Sequence, residues 1–112
     1  MDESPETPLV VVLTTAPERE VAERLARSLV EERLVACANI VPGATSIYRW
    51  QGEIHHDSEV MIFLKSTEAM TAALCDRINQ LHPYDLPEVL VLPVSGASDP
   101  YAEWVGGEVS AP

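Results

Sequence analysis

The stretch LHPYDLPEVLVLPV (81–94) places His82 where a helix is expected to end and a strand to begin. Neutral imidazole is a good ligand for Cu(II) or Zn(II), so His82 is a candidate metal ligand. A histidine in the last turn of a helix also has a structural use, because it can satisfy carbonyl groups that the helix leaves unpaired. The residues around His82 leave both interpretations open.

A second candidate is the cluster His55-His56-Asp57. Successive side chains of an extended strand point to opposite faces, so His55 and His56 grip one ion only if a turn runs through them. A strand is the favoured interpretation, and it predicts a polar, solvated segment.

The remaining residue types give little support to catalysis. Cys37 and Cys75 are far apart without CxxC spacing, which predicts two reduced thiols and no disulfide. Neither has a histidine close in sequence that would activate a thiol. The chain contains no GxSxG, P-loop, GxGxxG or HExxH motif, and we therefore expect no enzyme.

The charge balance of the 112-residue chain excludes some partners. Seven Lys and Arg stand against 18 Asp and Glu, a formal net charge of −11. Repulsion disfavours nucleic acid and anionic membranes, and cations are the natural counter-species. No apolar run approaches the roughly 18 residues of a membrane span, and the acidic start MDESPETP is unlike a signal peptide. The expected location is the cytoplasm.

Hydrophobic patterning predicts six main elements and a short terminal helix. Thr15 and Glu18 fit a capping box for the first helix. Pro42-Gly43 predicts a bulge in an edge strand, and Gln51-Gly52 predicts a tight turn that joins two long arms into an antiparallel hairpin. In chain order, the predicted elements are a strand at 9–15, a helix to about 33, strands at 36–50 and 51–66, a helix at 67–82, a strand at 87–94 and a helix at 96–105.

This β-α-β-β-α-β order predicts an α+β, ferredoxin-like sandwich with an extended hairpin and a short C-terminal helix. The expected domain covers 9–105, between flexible tails at 1–8 and 106–112. Hairpin arms near 15 residues exceed the usual strand of about 5–6 residues and would leave unpaired edges. A closed oligomer that covers those edges is the simplest remedy.

Five stretches together resemble the CutA family of divalent-cation tolerance proteins: LTTAP, ERLVACANIVPGATSIYRWQGEI, SEVMIFLKS, HPYDLPEVLVLPV and YAEWV. The resemblance covers about residues 9–105. It implies a ferredoxin-like protomer in a tight homotrimer, with hairpin arms reaching neighbouring subunits. It also implies a role in tolerance of copper and similar divalent cations, with no obligatory cofactor.

The resemblance also suggests site residues. His82 matches the histidine of the family's HPY motif and is the implied metal ligand, whereas Lys65, Tyr84, Glu88, Trp50 and Trp104 are implied to line a cleft between subunits. Lys65 could instead pair with Glu88, and the tryptophans could instead anchor the interface.

The sequence departs from the family pattern at two positions. Thr14 stands where some members have a cysteine, and Leu81 where a second histidine can precede the HPY motif. A hydroxyl is a poor ligand for a soft metal, so any metal is expected to bind weakly or to take one residue from each of three chains.

Two functions follow as expectations. The first is a cytoplasmic homotrimer that contributes to divalent-cation tolerance by weak metal binding. The alternative is a PII-like signalling trimer that binds a small metabolite between subunits. An RNA-recognition module shares the order of elements, but it needs exposed aromatic side chains and a basic surface, which this acidic chain lacks.

Overall fold

The computed structural model describes residues 8–110. The tail predicted for 1–8 lies outside the described residues except for Pro8. The described chain forms four strands and three α-helices, and a short 3-10 helix, Glu68–Met70, precedes the second α-helix. In chain order, the elements are β1 (Leu9–Ala16), α1 (Arg19–Glu31), β2 (Cys37–Trp50), β3 (Glu53–Thr67), α2 (Thr71–Leu81), β4 (Leu90–Pro93) and α3 (Asp99–Glu108).

The strands form one antiparallel sheet in the order β2-β3-β1-β4. The two central strands, β1 and β3, pair along the whole of β1, from Leu9 opposite Thr67 to Ala16 opposite Val60. β2 and β4 are therefore the edges. This arrangement confirms the predicted α+β, ferredoxin-like fold and the edge position of β2.

The core lies between one face of the sheet and the helices α1 and α2. Alternate residues of β1 and β3, such as Val12 and Ile62, point into it because side chains of a strand alternate between faces. Leu29 of α1 and Leu74 and Ile78 of α2 complete it, and all five side chains are fully buried. α1 and α2 thus cover one face of the sheet, whereas side chains such as Leu13 and Phe63 on the other face are only partly buried.

The β2–β3 hairpin extends well beyond the sheet. Its turn is the predicted Gln51-Gly52, and both residues have positive φ (51° and 81°), as a two-residue turn of type I′ requires. The predicted bulge is confirmed, because the register shifts between Val41 and Ala44 around Gly43, whose φ is 90°. The overhanging part of the hairpin gives the described chain its elongated shape, 57 Å by 25 Å by 23 Å.

The predicted capping box is wrong. α1 begins at Arg19, and Glu18 is the N-cap itself with no side-chain cap hydrogen bond. Thr15 lies within β1, because pairing with β3 keeps the chain extended to Ala16. Tertiary pairing has overridden a local motif here.

Element ends differ from the predictions at three other places. β4 is shorter than the predicted 87–94. α2 is preceded by the 3-10 helix over part of the predicted helix 67–82. α3 extends three residues past the predicted end at 105, and Arg33 donates to the Glu108 carbonyl at its end (Nε–O 3.1 Å). Between residues 8 and 110, no helix is long and apolar enough to cross a membrane.

Candidate functional site

An open cleft of about 650 Å³ lies along the part of the β2–β3 hairpin that extends beyond the sheet. The hairpin forms one wall, and the loop between α2 and β4 (82–89, the α2–β4 loop) forms the other. We call it the hairpin cleft. Its lining residues are Thr15 of β1, Ser46, Ile47, Tyr48 and Trp50 of β2, Asp57 and Glu59 of β3, and Tyr84, Asp85, Leu86 and Glu88 of the α2–β4 loop.

Strand alternation explains why polar and aromatic side chains meet on the hairpin wall. Tyr48 and Trp50 are two residues apart on β2, so they share a face, as do Asp57 and Glu59 on β3. Antiparallel pairing places Asp57 opposite Ser46, which lies two residues before Tyr48 on the same face of β2. Asp57 and Tyr48 are therefore diagonal neighbours. Diagonal neighbours of this kind are within reach of an aromatic side chain.

Both tyrosines of the cleft donate their hydroxyl groups to carboxylates. The Tyr48 hydroxyl donates to Asp57, and the Tyr84 hydroxyl donates to Glu59 (3.2 Å). The second bond joins the two walls of the cleft. It ties the α2–β4 loop to β3.

These environments raise the pKa of both phenols. Burial, together with the charge and hydrogen bond of Glu59, raises the pKa of Tyr84 to about 12. The hydrogen bond to Asp57 is the main cause that raises the pKa of Tyr48. Both side chains are therefore neutral donors at physiological pH.

The hairpin cleft is acidic. Four carboxyl groups line it, Asp57, Glu59, Asp85 and Glu88, and no Lys, Arg or His is among its lining residues. Its carboxylates are dispersed, since residues 8–110 contain no group of three His, Cys, Asp or Glu side chains arranged to hold one metal ion. The cleft therefore favours cations, but one chain does not supply a compact set of metal ligands.

His82 lies beside this cleft as the C-cap of α2, and it is only 7% exposed. The Tyr84 backbone N–H donates to Nδ1 (3.1 Å), so Nδ1 carries a lone pair and no proton. The proton of the neutral ring is then on Nε2, which donates to the Thr15 carbonyl oxygen (2.6 Å). The imidazole thus bridges the end of β1 and the α2–β4 loop.

This bridge bears on the metal-ligand prediction for His82. Metal binding needs an unshared lone pair on a ring nitrogen. An ion at Nδ1 would displace the Tyr84 N–H, and an ion at Nε2 would displace the Thr15 carbonyl. Ligation by His82 stays a prediction, and metal binding there would break one of these two buried hydrogen bonds.

The structure brings together three of the five residues predicted to line a cleft. Trp50, Tyr84 and Glu88 line the hairpin cleft, but Lys65 and Trp104 are not among its lining residues. The Lys65 ammonium contacts the Asn39 side-chain oxygen, with β3 paired to β2. Trp104 lies on α3 against Tyr101, with ring centroids 5.7 Å apart.

The two adjacent histidines lie in a regular strand, as favoured above. His55 is opposite Tyr48 and stacks on its ring (centroids 5.4 Å apart), whereas the next residue, His56, is opposite Ile47. The stack holds the Tyr48 ring in place from one side. Cys37 and Cys75 are both free thiols, and burial raises the pKa of Cys75.

Sequence reasoning missed Tyr48, Asp57 and Glu59 as cleft residues. The available signal was the two-residue spacing of Tyr48 with Trp50 and of Asp57 with Glu59 on predicted strands. It did not show which face of the hairpin would meet the α2–β4 loop.

Large apolar side chains are exposed along the hairpin and on β4. They are Val41, Ile47, Tyr48, Trp50 and Ile54 on the hairpin, and Leu90, Val91 and Leu92 on β4. β2 and β4 are also the edges of the sheet, and their outer backbone groups have no strand partner within residues 8–110. Exposed apolar side chains beside open edges are typical of a surface that another chain covers.

Comparisons with known proteins agree on one family. The profile of the CutA1 divalent ion tolerance protein family matches residues 10–108. The divalent-cation tolerance protein CutA of Thermus thermophilus is 50% identical over 85% of this chain and 92% of its own length. The chloroplastic protein CutA of Arabidopsis thaliana is 45% identical over 94% of this chain, which spans 58% of that protein's length.

Solved structures give the same result. The divalent cation tolerance protein from Thermus thermophilus superposes with a TM-score of 0.89 at 46% identity, covering 91% of this chain and 99% of the other. CutA1 from Oryza sativa superposes with a TM-score of 0.91 at 39% identity, covering 94% and 96%.

Proposed function

The chain belongs to the CutA1 divalent ion tolerance family, and we propose that it acts in the cytoplasm as a homotrimer that binds copper and similar divalent cations weakly. The observation that carries the proposal is the hairpin cleft, which has four carboxyl groups and no basic side chain among its lining residues. A binding role, without catalysis, agrees with the names of the relatives, which are tolerance proteins.

Exposed edges and apolar side chains support the oligomer. Ile47 is 64% exposed on the hairpin and Leu90 is 51% exposed on β4, and each lies on an edge strand. A neighbouring copy can cover a hairpin edge with its own edge strand and bury these side chains. The resemblance supplies the number of subunits, three.

The oligomer also bears on how a cation would bind. Because one described chain offers no compact set of three ligands, an ion held by the cleft carboxylates needs water or a second subunit to complete its shell. Sparse ligation of this kind predicts weak binding. It also predicts that binding depends on assembly.

Sedimentation of the full chain tests the oligomer. We expect one species of three times the chain mass, and we expect Leu90→Asp to dissociate it by placing a charge in the contact. Val30→Asp is the matched control, because Val30 is also exposed (41%) but lies on α1. A monomeric wild-type protein, or equal dissociation by both variants, would contradict the proposed trimer interface.

Titration calorimetry with Cu(II) in a weakly coordinating buffer tests metal binding. Glu59→Gln should weaken binding if the cleft carboxylates hold the ion, and His82→Gln should weaken it if the imidazole does. Glu103→Gln, at an exposed position of α3, removes the same charge away from the cleft. Equal heats from wild-type and all three variants would exclude both sites.

The size of the cleft favours the alternative of a small-molecule ligand. Ligand pockets usually have volumes of about 300–1,000 Å³. The hairpin cleft, at about 650 Å³, falls within that range and is far larger than one ion needs. A PII-like role in sensing a small metabolite therefore stays beside the first proposal.

The predicted cytoplasmic location needs its own test. Relatives bear names that place them in the chloroplast or the periplasm. Cell fractionation of the native host, with antibody detection of the chain, decides the location. Recovery with the membrane or envelope fraction would contradict the proposal.

A further inference from the structure

We propose that the hairpin cleft of each copy receives the Arg49 side chain of a neighbouring copy, so that the cation it normally holds is a guanidinium group. The inference rests on the proposed function in one respect, because it uses the proposed assembly of copies. It goes beyond that function in naming the side chain that crosses the subunit contact and the site that this side chain completes.

Arg49 differs from the other six basic side chains of the chain. Lys65 contacts the Asn39 side-chain oxygen. Within residues 8–110, Arg49 has neither an ion pair nor a side-chain hydrogen bond, although the chain carries a formal net charge of −11. The other five basic side chains each lie within 4.0 Å of a carboxylate oxygen of their own chain: Arg19, Arg24, Arg27, Arg33 and Arg77. The exposed Arg49 guanidinium is thus available to a carboxylate of another chain.

The hairpin cleft has the opposite property, since it has carboxylates without a basic partner. Asp57 and Glu59 accept hydrogen bonds from tyrosine hydroxyls. Asp85 and Glu88, on the α2–β4 loop, are exposed and take part in no side-chain hydrogen bond or ion pair within the described part of the chain. A guanidinium donates two parallel hydrogen bonds to a carboxylate, which makes Arg well suited to such a site. Asp85 and Glu88 are therefore the expected partners of Arg49.

The fold keeps Arg49 away from the cleft of its own chain. Tyr48 and Trp50 line that cleft, and strand alternation turns Arg49, which lies between them, to the opposite face of the hairpin. On that face, Arg49 is opposite Ile54. The guanidinium that fits the cleft therefore belongs to another copy. Because the contact joins two different surfaces of the chain, it is head-to-tail, as a ring of three copies requires.

The residues beside Arg49 also match the residues of the cleft. A guanidinium packs well on an aromatic face, and the Trp50 and Tyr84 rings of the receiving copy supply such faces. Ile54 beside Arg49 is 61% exposed, and Leu86 at the cleft is 71% exposed. One contact that covers both side chains removes their apolar surface from water. The inference thus accounts for the exposed side chains of a single chain as parts of one subunit contact.

Sedimentation of the full chain in rising urea tests the inference, because urea is uncharged and does not screen an ion pair. Arg49→Glu should weaken each contact between copies by about tenfold or more and should dissociate the trimer at a lower urea concentration than the wild-type protein requires. Arg49→Glu combined with Asp85→Arg or Glu88→Arg should restore assembly, because the charges are then exchanged. Circular dichroism without urea establishes that each variant folds.

Arg24→Glu is the matched control for net charge. It makes the same charge reversal on α1, where Arg24 is exposed and its distance to Glu20 is 3.9 Å. This variant should dissociate at the same urea concentration as the wild-type protein. An unchanged midpoint in Arg49→Glu, or an equal loss in Arg24→Glu, would overturn the inference. Failure of both exchanged pairs to restore assembly would overturn it as well.

Titration of Cu(II) distinguishes this inference from the proposed metal role. At a protein concentration where both proteins are trimeric, Arg49→Gln should bind Cu(II) more tightly than the wild-type protein, because the competing guanidinium is gone. The expected charge-exchange pattern without any Cu(II) binding would support the inference and exclude the metal role. Cu(II) binding that depends on Glu59, with assembly unchanged in Arg49→Glu, would do the reverse. A monomeric wild-type protein would exclude both the trimer and the inference.

Discussion

Replacing His82 with alanine should destabilise the fold far more than an ordinary surface substitution does. The ring is 7% exposed, and it joins the Thr15 carbonyl of β1 to the Tyr84 N–H of the α2–β4 loop. β4 pairs with β1 only from Val10 to Leu13. Thr15 lies two residues beyond Leu13, and the His82 imidazole donates to its carbonyl group where β4 no longer pairs with β1.

The magnitude follows from what the substitution leaves behind. Two hydrogen bonds are lost, each with a net value of about 1 kcal/mol, and their partners stay in a largely buried place. The missing ring leaves a cavity that adds about 1 kcal/mol more. The free energy of unfolding should therefore fall by about 3 kcal/mol, or roughly 10 °C or more in Tm.

Guanidinium unfolding at neutral pH and one fixed protein concentration measures this loss. His82→Gln carries both a donor and an acceptor and should recover part of it. His56→Ala is the control, since His56 is exposed on the hairpin, and its effect should stay within about 0.5 kcal/mol. In the wild-type protein, nitrogen NMR of the ring should show the proton on Nε2. Equal stability of the two alanine variants, or a proton on Nδ1, would refute the bridging role.

Three further predictions concern the cleft, a helix contact and the bulge. Glu59→Gln should lower the pKa of Tyr84 from about 12 towards 10, and the absorbance of the phenolate measures this change. In the wild-type protein, the stability that comes from the raised pKa is present below pH 10 and is lost as the pH rises through about 12. The Arg77 guanidinium lowers the pKa of Glu32 through their hydrogen bond, so Arg77→Gln should raise that pKa towards 4.5, as an NMR titration of the carboxyl group would measure. In the wild-type protein, the stability that comes from the lowered pKa is present above pH 4.5 and is lost as the pH falls through the pKa of the folded state. Gly43→Ala should cost about 1–2 kcal/mol in thermal unfolding through its φ of 90°, because no atom beyond the two adjacent residues lies within 4 Å of the added methyl group. An unchanged Tm would contradict this.

The general fold could be predicted because its signals are local. Gln51-Gly52 is a turn sequence, and the two long arms beside it leave few alternatives to an antiparallel hairpin. The bulge at Gly43 follows from a Pro-Gly pair inside a strand. The start of α1 was wrong because Thr15 takes part in pairing between β1 and β3, and a local capping motif does not report on that pairing.

The site was harder to predict because its contacts join distant parts of the chain. His82 contacts Thr15 across 67 positions, and Tyr84 contacts Glu59 across 25. Family resemblance placed Trp50 in a cleft, but which face of the hairpin meets the α2–β4 loop depends on the complete sheet. Alternation alone predicts which residues share a face, and it does not predict what that face meets.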